Sequence, residues 1–286
     1  MPTTEDFAGK LGVVTANVLS LRKEPDGDTE LVTQAEIGQT IKIEESKEKW
    51  LYVQMWDTYH GWIPSYGVKI WENESKLYAS TGTVAVIQDL WVNVYEQASK
   101  SSTIETKATI SAELEVADSE GEWIELRLPN GKSGFIEKAK AKLVNKAHTP
   151  NVEPPIPDEL IKTGKRFVGV PYLWGGTSPF GIDCSGFVQL VHKIHGQSLL
   201  RDAGIQAGDP RCEPVMRQDV RTGDLVFFSG SQGKDPDIPS ITHIGMAIDN
   251  DWFIHSGGQG GVQITRFDDP NSRYFKNYWG ARRMKF

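Results

Sequence analysis

Only two cysteines, Cys184 and Cys212, occur in 286 residues, too few for a disulfide framework. No apolar run approaches the roughly 20 residues that a membrane-spanning helix needs. Positive charge is not in excess. The net charge of −7 argues against a nucleic-acid partner, which would favour a basic face. The first ten residues, Met1 to Lys10, are polar and acidic and lack the apolar core of an export leader. As it stands the chain is expected in the cytoplasm, or in the periplasm or outside the cell if a leader has been removed. Disorder is not expected either. A hydrophobic fraction of 38% and a charged fraction of 24% belong to a folded chain, and the length accommodates two or three domains.

What is present begins with an internal repeat. Trp50-Leu51-Tyr52-Val53 is echoed by Trp123-Ile124-Glu125-Leu126, and Gly61-Trp62-Ile63 by Gly134-Phe135-Ile136, each pair 73 positions apart, from 50 to 123 and from 61 to 134. The same offset carries Leu31 to Ile104, Ala35 to Ala108, Ile41 to Leu114 and Ile43 to Val116. Such agreement without gaps indicates a domain duplication. Ile41-Lys42-Ile43-Glu44 and Leu114-Glu115-Val116 alternate apolar and polar as half-buried strands do, and Pro129-Asn130-Gly131-Lys132 is a turn. About 70 residues of short strands without a helical pattern suit a small closed barrel, which removes exposed sheet edges. Domains are expected at 8–73 and 77–146.

His148-Thr149-Pro150-Asn151-Val152-Glu153-Pro154-Pro155-Ile156-Pro157 cannot continue a helix or a central strand, so 147–157 is expected to be a semi-rigid linker. Beyond it, over 158–286, a helical period appears at Phe187, Val188, Leu190, Val191 and Ile194.

Asp183-Cys184-Ser185-Gly186 precedes that helix. Aspartate is a preferred N-cap, which puts Cys184 in the first turn, where unpaired N–H groups and the helix dipole favour a thiolate. The bland reading is a small buried residue in a core helix. A nucleophilic cysteine needs an imidazole base and an orienting partner. Thr242-His243-Ile244-Gly245-Met246-Ala247-Ile248 reads as a strand, Asp249-Asn250-Asp251 as a turn and Trp252-Phe253-Ile254-His255 as the return strand. Small Gly245 and Ala247 beside His243 would let a helix approach. A three-residue loop places His255 diagonally from His243 on one face, at roughly 7–8 Å between backbones, whereas a two-residue loop would separate them. Among the other histidines, His192 and His195 are expected to be solvated or capping, and His60 and His148 to lie in a turn and in the linker. Cys212, between Pro210 and Pro214, is expected in a loop as a bystander thiol.

Pro171-Tyr172-Leu173-Trp174-Gly175-Gly176, Phe180-Gly181-Ile182-Asp183-Cys184-Ser185-Gly186-Phe187, Gly223-Asp224-Leu225-Val226-Phe227-Phe228, His243-Ile244-Gly245-Met246 and Ile254-His255-Ser256 follow one another as in the NlpC-type cell-wall peptidases, which this part of the chain resembles. The strand-rich first half resembles the bacterial SH3-like domains that accompany such enzymes. The resemblance implies two small all-β SH3-like barrels followed by an α+β papain-like catalytic domain. It implies a triad of Cys184, His243 and His255, with Tyr172 near the thiolate as an oxyanion-binding residue and a backbone N–H at Cys184 as a second donor. Members with SH3-like barrels cleave the γ-D-glutamyl bond to a diamino acid in murein stem peptides whose L-alanine is free. By that resemblance Asp183, Ser185, Trp174, Glu30 and Tyr59 would bind substrate, Asp183, Glu30 and Tyr59 meeting the free ammonium. For Glu30 and Tyr59 the plain alternative is an exposed turn residue. Where the family commonly has serine or threonine after Arg-Asp, this chain has Ala203.

No cofactor or metal is implied. Cys184, Cys212, His243 and His255 could in principle hold zinc, but no Cys-x-x-Cys or His-x-x-x-His spacing supports it. Gly257-Gly258-Gln259-Gly260-Gly261 lacks the Lys-Ser/Thr and helix of a phosphate loop, and reads as a flexible loop near the active site. Two alternatives remain open: a non-enzymatic cell-wall binding protein, and a related thiol amidase or acyltransferase. Neither the diamino acid nor the oligomeric state is legible.

Overall fold

The computed structural model describes residues 7–71, 77–147, 153–230 and 241–285. The chain forms two compact units, residues 1–151 and 152–286. The expected end of the first repeat at 72–73 and the linker residues 148–152, His148 included, lie outside the described residues.

The first unit is almost entirely strand. β1 (Leu11–Val14), β2 (Val18–Arg22), β3 (Leu31–Glu36), β4 (Thr40–Lys47), β5 (Trp50–Gln54), β6 (His60–Pro64) and β7 (Val68–Trp71) form one antiparallel sheet. β8 (Thr83–Ile87), β9 (Trp91–Tyr95), β10 (Ile104–Thr109), β11 (Glu113–Asp118), β12 (Trp123–Arg127), β13 (Ser133–Glu137) and β14 (Ala141–Asn145) form a second. Their spatial orders, β3-β2-β6-β5-β4-β1-β7 and β10-β9-β13-β12-β11-β8-β14, are the same order shifted by seven. The duplicated Trp50–Val53 and Trp123–Leu126 segments are the fifth strand of each sheet. In both, alternate residues point inward: Leu51 and Val53, and Ile124 and Leu126, are fully or almost fully buried. Burying each such side chain contributes about 1.5–3 kcal/mol.

The sheets are not closed as expected. Among the described residues no backbone ladder joins β3 to β7. Side chains close the gap instead, because Ala35 of β3 and Val68 and Ile70 of β7 pack on the same core. Val13 and Ile37 of the first repeat enter the core of the second. The Glu36 carboxylate accepts hydrogen bonds from Thr109 and Ser111 at 2.9 and 3.3 Å.

The second unit layers helices on a sheet. α1 (Pro157–Lys165) opens it with proline at the first helical position, where the missing N–H costs nothing. Pro157 therefore belongs to the helix rather than to the linker. β15 (Thr177–Ser178) and β16 (Gly181–Ile182) form a small hairpin ahead of α2 (Cys184–Ile194) and α3 (Ala203–Ala207). β17 (Cys212–Val215), β18 (Leu225–Ser229), β19 (Ile241–Ala247), β20 (Trp252–Gly257), β21 (Gly261–Arg266), α4 (Arg273–Asn277) and β22 (Tyr278–Met284) complete the chain. The six-stranded antiparallel sheet runs β17-β22-β18-β19-β20-β21. One face meets the helices at Met246 and Ile254, which lie beside Gly164 of α1 together with Phe187 of α2. The other face packs Phe228, Ala247 and Phe253 against Phe267 and Tyr274.

Cys212 begins β17 and pairs with Met284, so it lies in a strand rather than a loop. Pro214 is tolerated because β17 is an edge strand. Burial pushes this thiol up to about 11, in keeping with an unreactive side chain. His192 is buried, not solvated. Only 1% of it is exposed, Nδ1 lies 2.8 Å from the Val188 carbonyl, and loss of water lowers its pKa to about 4. His195, the C-cap of α2, lies 2.9 Å from the Thr163 hydroxyl. His60 opens β6 rather than occupying a turn, stacks on Tyr52 and pairs with Glu44 at 3.3 Å. Gly257-Gly258-Gln259-Gly260-Gly261 is the tight end of the β20–β21 hairpin.

Candidate active site

Asp183 caps α2 as its sequence position requires, accepting the Gly186 N–H at 2.7 Å. A Cβ at Gly186 would come within 2.3 Å of the Gly176 carbonyl, so this first turn can press on the loop only with glycine there. The same Asp183 carboxylate accepts the Gly175 N–H at 3.0 Å and the Ser185 hydroxyl at 3.2 Å. Arg201, 1% exposed, closes on both carboxylate oxygens and also donates to Ser185 Oγ at 2.9 Å. Five donors therefore converge on a carboxylate with about four lone-pair sites, and the Ser185 proton is already given away. Both groups hold the helix start in place.

Cys184 is 7% exposed, and the N–H groups of Ser185 and Ile244 hydrogen-bond its sulfur. That contact puts the thiol against the residue that follows His243. Burial pushes the thiol up to about 12, and the Asp183 charge adds to the rise. Desolvation therefore opposes the thiolate expected from the helix N-terminus, while the two N–H groups favour it.

The β19–β20 register, Met246 opposite Ile254 and Ala247 opposite Phe253, is that of the three-residue loop. It brings His243 Nε2 to 2.9 Å from His255 Nδ1. His255 is fully buried and its Nε2 lies 2.9 Å from Thr265 Oγ1. The His255 ring stacks on Phe253 at 4.8 Å, and Tyr274 flanks His243 and His255 at 5.2 and 4.7 Å. Loss of water lowers His243 to about 3 and His255 to about 2, with the Arg273 charge contributing to both. Gly245 serves the neighbouring strand rather than a helix. A Cβ there would meet the Ile254 carbonyl and Phe253 at 2.8 Å.

Tyr172 is tied to this centre through the backbone. The Ile182 N–H donates to the Pro171 carbonyl at 3.0 Å, and Ser256 Oγ donates to the Ile182 carbonyl at 2.7 Å. Burial and the neighbouring Cys184 and Asp183 push the phenol up to about 12. Tyr172 and His243 line one cleft of about 260 Å³ with Thr242, Gly258, Arg273 and Tyr274. Trp174 is 62% exposed and is not among the residues lining that cleft. Glu30 and Tyr59 belong to the first unit. Glu30 lies 3.6 Å from Lys23, and Tyr59 packs against the first core while its N–H donates to Asp57 at 3.2 Å. Arg201, Thr265, Arg273 and Tyr274 were not legible as site residues, since nothing in their local sequence marks them.

Among the described residues no three His, Cys, Asp or Glu side chains converge on a metal-sized point. Cys212 lies three strands from β19 in the sheet order, which removes it from any zinc set with His243. No helix among the described residues is long and apolar enough to cross a membrane.

Histidines buried without charge make stability pH-dependent, and His192 and His255, at most 1% exposed, do so most directly. Their folded pKa values, about 4 for His192 and about 2 for His255, lie below the unfolded 6.5. The unfolded chain therefore binds protons first. The stability is complete above pH 6.5 and is lost as pH falls toward those folded values. Each group contributes about 1.4 kcal/mol per pH unit inside its window. These two groups alone should cost the unit about 4 kcal/mol in urea unfolding between pH 7.5 and 5. A midpoint that stays put over that range would contradict the neutral burial.

A profile of the NlpC/P60 family matches residues 169–284, and one of the bacterial dipeptidyl-peptidase Sh3 domain matches residues 21–67. A γ-D-glutamyl-L-lysine dipeptidyl-peptidase of Bacillus cereus is 30% identical over 267 residues, 88% of this chain and 75% of that protein. Dipeptidyl-peptidase 6 of Lysinibacillus sphaericus is 26% identical over 267 residues, 92% and 93% of the two chains. The crystal structure of an NlpC/P60 family protein from Bacillus cereus superposes with a TM-score of 0.82 at 25% identity, covering 96% of this chain and 99% of that one. With an SH3-like β region ahead of a domain that carries the cysteine at a helix start and the paired histidines on adjacent strands, the chain belongs to the NlpC/P60 family.

Proposed function

We propose that the protein is a cysteine peptidase that hydrolyses the γ-D-glutamyl–diamino acid bond of murein stem peptides with a free amino-terminal L-alanine. The observation that carries it is the His243–His255–Thr265 relay beside a cysteine whose sulfur touches the Ile244 N–H. The tautomer that makes His243 a base has Nε2–H donating to His255 Nδ1, and His255 Nε2–H donating to Thr265. His243 Nδ1 is then bare and takes the proton from Cys184 Sγ as the sulfur attacks the γ-carbonyl. The imidazolium gives that proton to the leaving amine, and water hydrolyses the thioester. Tyr172 and the N–H groups at the start of α2 are the proposed oxyanion donors.

The fold reading that goes with this is two SH3-like barrels followed by a papain-like α+β domain. Asp183, held by Arg201, is the proposed ammonium partner together with Glu30 and Tyr59, and Ser185 and Trp174 are the further proposed substrate contacts. The names of the relatives, dipeptidyl-peptidases in two cases and one of them for a lysine bond, favour lysine as the diamino acid. Requiring a free L-alanine restricts the enzyme to peptides already released from glycan, hence to murein turnover or recycling.

The test is mass spectrometry of L-Ala-γ-D-Glu-L-Lys and its N-acetylated form incubated with the full chain. Release of lysine from the free peptide alone is the expected result. Cleavage of both would remove the amine requirement, and cleavage of neither would remove the peptidase reading.

A further inference from the structure

The acyl side and the leaving side of the proposed scissile bond see different chemistry. Beside Cys184 at the start of α2, Asp183, Ser185 and Arg201 bond one another, and all three are buried. On the His243 side the cleft is open and is lined by an exposed guanidinium, Arg273. Its position is defined. Ser272 caps α4 by accepting the Tyr274 N–H at 3.1 Å. Arg273 in turn donates to the Tyr274 hydroxyl at 2.8 Å, with its charge 4.9 Å from the ring centre. Tyr274 is the same ring that flanks His243, so guanidinium and general acid share one support. Among the described residues Arg273 has no carboxylate partner.

We propose that Arg273 binds a carboxylate of the diamino acid leaving group, making the leaving side of the cleft specific for a carboxylate-bearing residue. This rests on the peptidase reading above. The chemistry of the bond supplies the ligand. The amine that His243 protonates is separated from its own α-carboxylate by one carbon, so a leaving amine near His243 carries that carboxylate into the same cleft. A diaminopimelate side chain brings a second carboxylate within reach. A guanidinium can bind either in a bidentate pair. Binding also has a consequence for the base. Arg273 is a positive charge that opposes imidazolium at His243, and a carboxylate seated on it cancels that charge as His243 takes up the thiol proton.

The experiment compares kcat/KM of the full chain and of Arg273→Gln on four peptides. These are L-Ala-γ-D-Glu-L-Lys, its carboxy-terminal amide, the D-isoglutamine version and the diaminopimelate version. Wild type should prefer the lysine acid to its amide by about tenfold or more, the scale of one charge-assisted pair. In Arg273→Gln that ratio should collapse toward 1, with Arg273→Lys in between. A general structural defect would lower both substrates together and leave the ratio unchanged.

A diaminopimelate-over-lysine preference of the wild type that is lost in Arg273→Gln assigns the contact to the side-chain carboxylate and also supports the proposal. Dependence on Arg273 that disappears only in the D-isoglutamine peptide would put the carboxylate on the acyl side and overturn it, as would acid-over-amide and diaminopimelate-over-lysine ratios that the substitution both leaves unchanged. Calorimetric binding of the same peptides to the full-length Cys184→Ala chain is read in parallel. Absence of hydrolysis would then sink the peptidase reading while acid-over-amide binding still reports on Arg273. No discrimination that depends on Arg273 in either measurement overturns the proposal.

Discussion

Replacing Cys184 with alanine should leave no more than about one part in 10⁴ of the hydrolysis of L-Ala-γ-D-Glu-L-Lys, the scale seen when a nucleophile is removed from a catalytic unit. His243→Ala should cost about as much, and the double variant little more than either alone, because thiol and imidazole act in one step. The geometry makes this sharper than usual. Burial pushes the thiol up and the imidazole down, so each group depends on the other to exchange the proton. His255→Ala should be milder, since His255 orients His243 without touching substrate. The measurement is single-turnover release of lysine by mass spectrometry, with circular dichroism confirming that each variant is folded. Additive losses in the double variant would mean that the two residues do not work as a unit.

Much of this was legible because it is local. The Asp183 cap and the apolar period after it place Cys184 at the start of α2 without knowledge of the rest of the fold. Three turn residues, Asp249-Asn250-Asp251, set the register that brings His255 to His243. The repeat offset predicted a duplicated domain, and the two sheets share one strand order because both copies keep the same inward residues. What failed depends on tertiary surroundings. The first-turn position suggested a thiolate, and only packing adds the burial that opposes it. Pro210 and Pro214 made Cys212 look like a loop residue, whereas an edge strand accepts proline. Thr265 carries no mark in its local sequence, and only the sheet sets it beside His255. Arg201 lies 18 positions beyond Asp183, with no periodicity to connect them.

That buried pair gives the largest expected effect on stability. Arg201→Met should destabilise the second unit by about 3–5 kcal/mol, because it leaves the Asp183 carboxylate buried without its countercharge. The loss should exceed that of Asp183→Asn, in which the amide oxygen can still accept the Gly186 N–H and keep the cap of α2. Asp183→Asn with Arg201→Met should recover much of the single-variant loss, since neither buried charge then lacks a partner. Urea unfolding of the three variants, followed by tryptophan fluorescence, tests the coupling. Simple addition of the two single losses would show that the guanidinium and the carboxylate stabilise the unit independently, and the pair would lose its place as the anchor of the nucleophile helix. A recovered double variant that stays folded yet cleaves slowly would separate the two duties of the pair. Much of the stability it provides can be replaced by apolar packing, but Ser185 and Gly176, both held by Arg201, sit one turn or one loop from the attacking sulfur.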